Sequence, residues 1–387
     1  MRRPIRSAFP FYTVITIWGF GSGLLTPILP LFIRSLGFSI EEWGYLVTVY
    51  AVSTFLFEWL WGALSDRVDR RAFIVVGLLS GSALMYLYTL RELTPLLYVL
   101  QFIRGALFIM VGPAVKAMVS DVSSGGIGLS MGLYSSTRRL GSVVGPFVGS
   151  VIAETWSYGA ALRVYAVVYI LGTLIAVSIP KNEGLQRDES KESSIVEDCK
   201  ALFSLRAVST LFLVSVIVYM GITVVGSYMP IYAKEVVGMS TVNVGALFSI
   251  VNIAGFLATP FFGWISDKRG RMPVILFCFI FSTAAMYALS LAVTSLQLIL
   301  ILMAFTICFS PLTPMLLATL VEATPKGLLG TSMGMYSTFE NLGIVLTPLI
   351  YSLIWSAYAP NAIFIAGAIT QLLGVLVLIA AYRTFRP

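Results

Sequence analysis

The chain has 387 residues, 58% of them hydrophobic and only 11% charged, against about 25% charged in a soluble domain. A mean hydropathy of +0.91 and long unbroken apolar runs exclude a solvated globule and a β-barrel, leaving an all-α polytopic membrane protein. The net charge of +7 reports topology rather than nucleic-acid binding, because it is concentrated in alternate loops.

A spanning helix needs about 20 apolar residues. Twelve segments qualify: 9–33, 43–65, 72–90, 96–119, 127–152, 160–179, 207–233, 243–265, 273–293, 296–320, 328–354 and 361–381. With the N-terminal Arg2, Arg3 and Arg6 in the cytoplasm, 17 of the 25 Lys and Arg residues fall in cytoplasmic segments, the positive-inside pattern. Both termini are then cytoplasmic. A multi-pass monomer in the lipid bilayer of the plasma membrane is expected. The first segment holds Pro27 and Pro30 and has no small-residue cleavage pattern after it, so it reads as a span rather than a leader.

The first span carries Trp18 just before the stretch GFGSGLLTPILP, and the second carries Glu58 one turn before Gly62. The loop that follows reads GALSDRVDRR, from Gly62 to Arg71. Gly62 permits close helix packing. Asp66 suits the positive N-terminus of a neighbouring helix, and Arg67, Arg70 and Arg71 anchor the loop in the cytoplasm. In the fourth span, LQFIRGALF sets Arg104 beside Gly105, and Lys116 lies near enough to the interface to snorkel.

The fifth span contains SMGLYSSTRRLGSVVGP, Ser130 to Pro146. Gly141, Gly145 and Gly149 recur every four residues and form a face for close backbone approach, while Pro146 removes a donor and can bend the helix. Tyr134 and Arg138 share a side. Adjacent residues diverge by about 100°, so Arg138 and Arg139 face different ways. Arg138 is expected towards a cavity or the seam between halves, and Arg139 in a pair within its own half, with Glu58 as candidate partner. After the sixth span comes the polar stretch PKNEGLQRDESKESSIVEDCK, read as a cytoplasmic linker over 180–206 that turns helical near Ile195 to Phe203.

Beyond the linker the chain repeats itself. Ser332 to Pro348 reads SMGMYSTFENLGIVLTP, identical to Ser130–Pro146 at nine of seventeen positions at an offset of 202. Gly44 matches Gly245, Gly62 to Arg71 matches Gly263 to Met272, and Asp121 matches Glu322, all at 201. Residues 1–179 and 207–387 therefore read as parallel six-helix copies. At the centre of the repeat the charge reverses: Arg138 becomes Glu340 and Arg139 becomes Asn341. At 1.5 Å rise per residue, Glu58 lies about 12 Å from the cytoplasmic edge, the arginine pair about 15 Å, Glu340 about 18 Å and Arg104 about 25 Å.

Charges at such depth are costly and mark function or pairing. The chain has no histidine, so proton chemistry rests on carboxylates. Burial raises a carboxylate's pKa and a nearby cation lowers it again, which makes Glu58 and Glu340 the proton-coupling candidates. Cys199, Cys278 and Cys308 have no metal or redox spacing; no metal or organic cofactor is expected, only a proton as coupling ion. With no His, no paired Cys and no HExxH-type helix, an enzyme is excluded.

These residues resemble the Major Facilitator Superfamily, in particular its twelve-helix drug–proton antiporters. The family's loop pattern Gly-x-Leu-x-Asp-Arg-x-Gly-Arg-Arg is matched by Gly62, Leu64, Asp66, Arg67, Arg70 and Arg71, with Asp69 in place of the second Gly. The second copy keeps Gly263, Asp267, Lys268, Gly270 and Arg271. Gly141-x-x-x-Gly145-Pro146-x-x-Gly149 resembles the antiporter motif. The family's fourth-span arginine falls on Gln101 if Gly105 is the anchor, with Arg104 one turn later. The resemblance implies two pseudo-symmetric six-helix halves working by alternating access, with Asp66 latching onto the eleventh span. It also implies that the glycine face packs on the eighth span and seals the halves on one side. Proton-coupled efflux of small amphipathic or organic compounds is the function expected. Trp18, Tyr134, Tyr219 and Tyr336 would offer aromatic surface, and Asn252 and Asn341 hydrogen bonds. The four intramembrane cations against two acids suggest the alternative, an anionic metabolite or lipid carried on the same fold.

Overall fold

A computed structural model describes residues 8–65, 69–122, 127–179 and 195–382, and among them all regular structure is helical. Ten helical stretches are long and apolar enough to cross a membrane. Two more are of spanning length but carry Glu58 or the Arg138–Arg139 pair: α2 (Ile40–Ser65) and α6 (Ile127–Thr155). The protein is a multi-pass membrane protein. The chain divides into two compact units, Met1–Glu189 with Ser240–Ser249, and Ser190–Met239 with Ile250–Pro387.

The first unit contains α1 (Ala8–Ser35), α2, α3 (Arg70–Tyr88), α4 (Leu97–Phe108), α5 (Val111–Val122), α6 and α7 (Tyr158–Val177). Lipid tails are as apolar as leucine, so these helices are held by close backbone approach and interhelical hydrogen bonds. Gly105 brings α4 onto α2: a Cβ there would lie 2.7 Å from the Tyr50 carbonyl oxygen. The Ser53 hydroxyl donates to the Phe102 carbonyl at 2.6 Å and the Trp61 indole to that of Ala106 at 2.6 Å. The Ser82 hydroxyl donates to the Ala166 carbonyl at 2.8 Å and ties α3 to α7.

The glycine face of α6 corrects one expectation. It packs on α1, not on the eighth span. A methyl at Gly141 would overlap the Thr16 carbonyl, and one at Gly145 would overlap that of Phe20 and lie 2.7 Å from the Leu24 nitrogen. The eighth span, α10 (Thr241–Arg269), contributes its first turns to this unit and meets a different edge of α6. A Cβ at Gly245 would sit 2.5 Å from the Pro146 carbonyl oxygen and against Ser150. There the Val242 amide donates to the Glu154 carboxylate at 3.0 Å.

The second unit holds α8 (Ile195–Ser204), α9 (Arg206–Ile231), the rest of α10, α11 (Arg271–Leu289), α12 (Ser295–Phe309), α13 (Leu312–Ala323), α14 (Leu329–Ala357) and α15 (Ala362–Ala380). Helix α8 fulfils the helical turn expected at the end of the linker. Gly343, the copy of Gly141, makes the equivalent approach inside this unit: a Cβ there would lie 2.5 Å from the Val216 carbonyl oxygen of α9. Phe212 and Phe339 stack at 5.2 Å in the same seam, and the Tyr228 hydroxyl donates to the Pro348 carbonyl at 2.5 Å. The fourth and tenth spans are each broken in two. Pro113 clashes with a helical carbonyl four residues back, at Ile109, and Pro314, 201 residues on, does so at Ser310; the breaks fall there.

Candidate functional site

Close approach of α1 and α6 creates the first cluster. A Cβ at Gly19 would overlap the Arg138 carbonyl, so this glycine lets the Arg138 side chain reach back over α1. Its guanidinium carbon sits 4.5 Å from the centre of the Trp18 ring, and Tyr134 is its neighbour one turn away. Trp18 is 8% exposed and Tyr134 6%. The Trp18 indole nitrogen and the Tyr134 hydroxyl are buried without a hydrogen-bond partner of good geometry. Arg138 itself is exposed.

A second cluster lies behind it. The Tyr169 hydroxyl donates to the Trp18 carbonyl at 3.1 Å, and the Tyr169 ring stacks on Tyr165 at 4.0 Å. Tyr169 feels the charges of both Arg138 and Arg104. Arg104, 9% exposed, lies 4.5 Å over the Tyr50 ring and donates to the Gln101 side-chain oxygen at 3.1 Å, which also accepts from the Tyr88 hydroxyl at 2.6 Å. The Arg104 charge thus sits beside Gln101, the position where the family's arginine would fall. Among the described residues neither Arg104 nor Arg138 makes an ion pair. A guanidinium that is buried, engaged by tyrosine faces and not neutralised is costly to keep.

Tyr50, Tyr88, Tyr165 and Tyr169 were not among the residues singled out in the sequence. Their signal is asymmetry: at the repeat offset of 201, Tyr50, Tyr88, Gln101 and Arg104 correspond to Val251, Leu289, Leu302 and Phe305.

Glu58 on α2 and Arg139 on α6 are both half-buried and both engaged with other groups. In the second unit Tyr336 is 2% exposed, its hydroxyl likewise buried without a partner, and Glu340 is the charge that acts on it. Gly343 brings Tyr219 of α9 against the same stretch of α14; its Cβ would be 3.1 Å from that of Tyr219. Asn341, Tyr219 and Asn252 are half-buried and engaged. A separate apolar cavity of about 630 Å³ opens between α10 and α12, lined by residues such as Leu257, Phe261, Met303 and Ile307. None of the predicted site residues lines it.

The loop motifs divide differently from expectation. Asp66 and Arg67 lie outside the described residues. Among the described residues a Cβ at Gly62 or Gly263 would meet nothing within 4 Å, so the close packing expected at Gly62 is not found among them; both glycines stand near helix ends. Asp69, the departure from the family pattern, accepts from the Arg71 amide at 3.1 Å and caps α3. Arg70 is buried, and the Arg71 side chain donates to the Ile179 carbonyl at 3.1 Å. In the second copy Gly270 turns the chain with φ +88°, a conformation only glycine adopts freely. Arg271 pairs with Asp267 at 3.2 Å and with Glu322 at 2.7 Å, and Lys268 lies 4.0 Å over the Trp264 ring.

Comparison with known proteins adds the following. A sequence profile described as Major Facilitator Superfamily matches residues 11–348 and 211–387. The chain is 27% identical over 333 residues to an uncharacterized MFS-type transporter, MJ1560, of Methanocaldococcus jannaschii, covering 84% of each chain. It is 23% identical over 378 residues to the multidrug resistance protein MdtG of Klebsiella pneumoniae, covering 95% of this chain and 90% of that protein. Among solved structures it is similar to the nucleoside transporter NupG, with a TM-score of 0.82, 12% identity and coverage of 98% and 99%. It is also similar to a peptide transporter, POT, with a TM-score of 0.81, 14% identity and coverage of 99% and 96%. At 12% and 14% identity these two structures speak for the fold alone.

Proposed function

The chain belongs to the Major Facilitator Superfamily, a family of secondary transporters for small molecules, and on that premise we propose that it performs proton-coupled efflux of small amphipathic or organic compounds. The halves 1–179 and 207–387 would be the moving bodies, joined by the 180–206 linker, with both termini cytoplasmic and the protein a monomer in the plasma membrane. The observation that carries the reading is the reversed charge at one repeat position. Arg138 and Glu340 each stand beside a buried tyrosine hydroxyl without a hydrogen-bond partner of good geometry. Packing alone needs neither an arginine nor a carboxylate at that depth. The likeness to MdtG along nearly the whole chain supports export.

In this reading a proton on Glu340 or Glu58 removes a charge whose burial is costly, which favours the state in which that carboxylate is more enclosed. Release of the proton on the other side resets the cycle. Trp18, Tyr134, Tyr219 and Tyr336, with Asn252 and Asn341, would line the substrate path. Asp66 would latch one state, and the Asp267–Arg271–Glu322 cluster would steady the corresponding end of the second half. The test is reconstitution into liposomes with an imposed pH gradient and a panel of organic compounds. At least one of Glu58→Gln and Glu340→Gln is expected to abolish gradient-driven flux. Full gradient-driven flux in both variants refutes the coupling assignment.

A further inference from the structure

The Trp18–Tyr134–Arg138 cluster has a chemical bias that transport in general does not require. An indole N–H donates and cannot accept, and a guanidinium carries five donors and no acceptor. The Trp18 N–H is buried without a partner, and the Tyr134 hydroxyl, which Arg138 approaches closely, is buried without one of good geometry. Arg138 spends its contact on an indole face, which accepts no conventional hydrogen bond and neutralises no charge. Among the described residues no carboxylate pairs with Arg138, and Arg138 is exposed. Behind the cluster, Arg104 is a second cation without an ion pair among the described residues, and Tyr169 lies within reach of both charges. The cluster therefore offers at least two unused donors and a positive charge, and supplies no acceptor of its own beyond a tyrosine oxygen. Leaving buried donors unsatisfied is costly, and an anionic oxygen group is the class of ligand that accepts from such donors and answers the positive charge. The matching place in the second unit differs: there the orphan Tyr336 hydroxyl has Glu340 as its charged neighbour.

We infer that the first unit binds the acidic head of a soluble organic acid, a carboxylate held by Arg138 and by the Trp18 and Tyr134 donors. This names the substrate class for the site proposed above and rests on that reading. Calorimetric titration of the full chain in phosphatidylcholine nanodiscs tests it, with 1-naphthoate, 1-naphthamide, 1-naphthylmethylamine and inorganic phosphate as probes. Naphthoate is expected to bind at least tenfold more tightly than the amide, the amine or phosphate. Arg138→Gln should weaken naphthoate about tenfold or more, the scale of a charge-assisted hydrogen bond, with partial rescue by Arg138→Lys. Trp18→Phe, which keeps a ring under the guanidinium but removes the N–H, and Tyr134→Phe should each weaken it several-fold. A structural role for Trp18 would leave binding in the Phe variant unchanged. Amine or amide binding as tight as the acid, no naphthoate binding, or binding indifferent to Arg138→Gln overturns the inference. So does loss of naphthoate binding when phosphatidylglycerol replaces part of the disc lipid, because the anion would then be a lipid headgroup. Naphthoate bound as expected but never moved by a pH gradient in liposomes refutes the coupled-transport reading and leaves this inference standing.

Discussion

Replacing Gly145 by alanine adds one methyl where two backbones touch. That methyl would overlap the Phe20 carbonyl and lie 2.7 Å from the Leu24 nitrogen. Both obstacles are backbone atoms of α1, so no side-chain rotation relieves them, and α1 and α6 must separate by something near an ångström. A gap of about 0.5–1 Å forfeits a quarter to a half of the dispersion energy of each atom pair across it. Overpacking of this kind costs about 1–3 kcal/mol, offset by the roughly 1 kcal/mol that alanine gains over glycine in a helix. Gly334 on α14 is the internal control, because a Cβ there meets nothing within 4 Å and only the propensity gain remains. Thermal unfolding of the purified protein in detergent reads the difference. Gly145→Ala should lower Tm by a few degrees, and Gly334→Ala should leave it level or raise it slightly. Equal Tm values for the two variants would mean that α1 and α6 are not in backbone contact, and the packing argument for the glycine face would fail.

Two other outcomes follow from single contacts. Gln371 on α15 is 1% exposed, neither of its amide atoms has a hydrogen bond, and Gly221 leaves only enough room for its NH₂ group. Gln371→Met should therefore stabilise the protein by about 1–3 kcal/mol, seen as a higher Tm. A double-mutant cycle on Arg271 and Glu322, whose side chains are 25% and 59% exposed, should give a coupling of about 0.2–1 kcal/mol that shrinks with added salt. A salt-independent coupling of several kcal/mol would mean that the pair is buried in the working protein.

The spans and the two-copy plan were legible because their signals are long. Some 20 apolar residues in a row admit few readings, and Pro113 with Pro314 or Gly141 with Gly343 extends the repeat to features that shape the backbone. What stayed hidden was the identity of partners. A glycine stripe announces that a backbone comes close without saying whose. The answer, α1 for Gly141 and α9 for Gly343, places both contacts between the first and fifth spans of their own copies. At Gly145 the two copies differ. Its copy Thr347 fits because its hydroxyl turns back onto the Gly343 carbonyl at 2.6 Å, so the second seam tolerates a side chain where the first does not. Gly62 misled for the opposite reason: a helical glycine whose Cβ would meet no close neighbour among the described residues has the same letter as one in a seam. The tyrosine network around Arg104 escaped because each tyrosine alone is an ordinary residue of an apolar span. Only the arginine carries a charge to notice.

The same observations separate scaffold from chemistry. Prolines that break the fourth and tenth spans and glycines that join the first to the fifth recur in both copies, so the backbone plan is close to symmetric. The polar load is not. Arg104, Gln101, Tyr50 and Tyr88 form a hydrogen-bonded and cation–π group, while their copies are Phe305, Leu302, Val251 and Leu289, residues that need no polar partner. Burying a guanidinium among tyrosines costs free energy that an apolar core does not, and the second copy shows that the fold stands without it. Retention of Arg104 in one copy alone is therefore not explained by stability. It is explained if the first unit meets a ligand whose charge completes the site, and the second, with Glu340, does not.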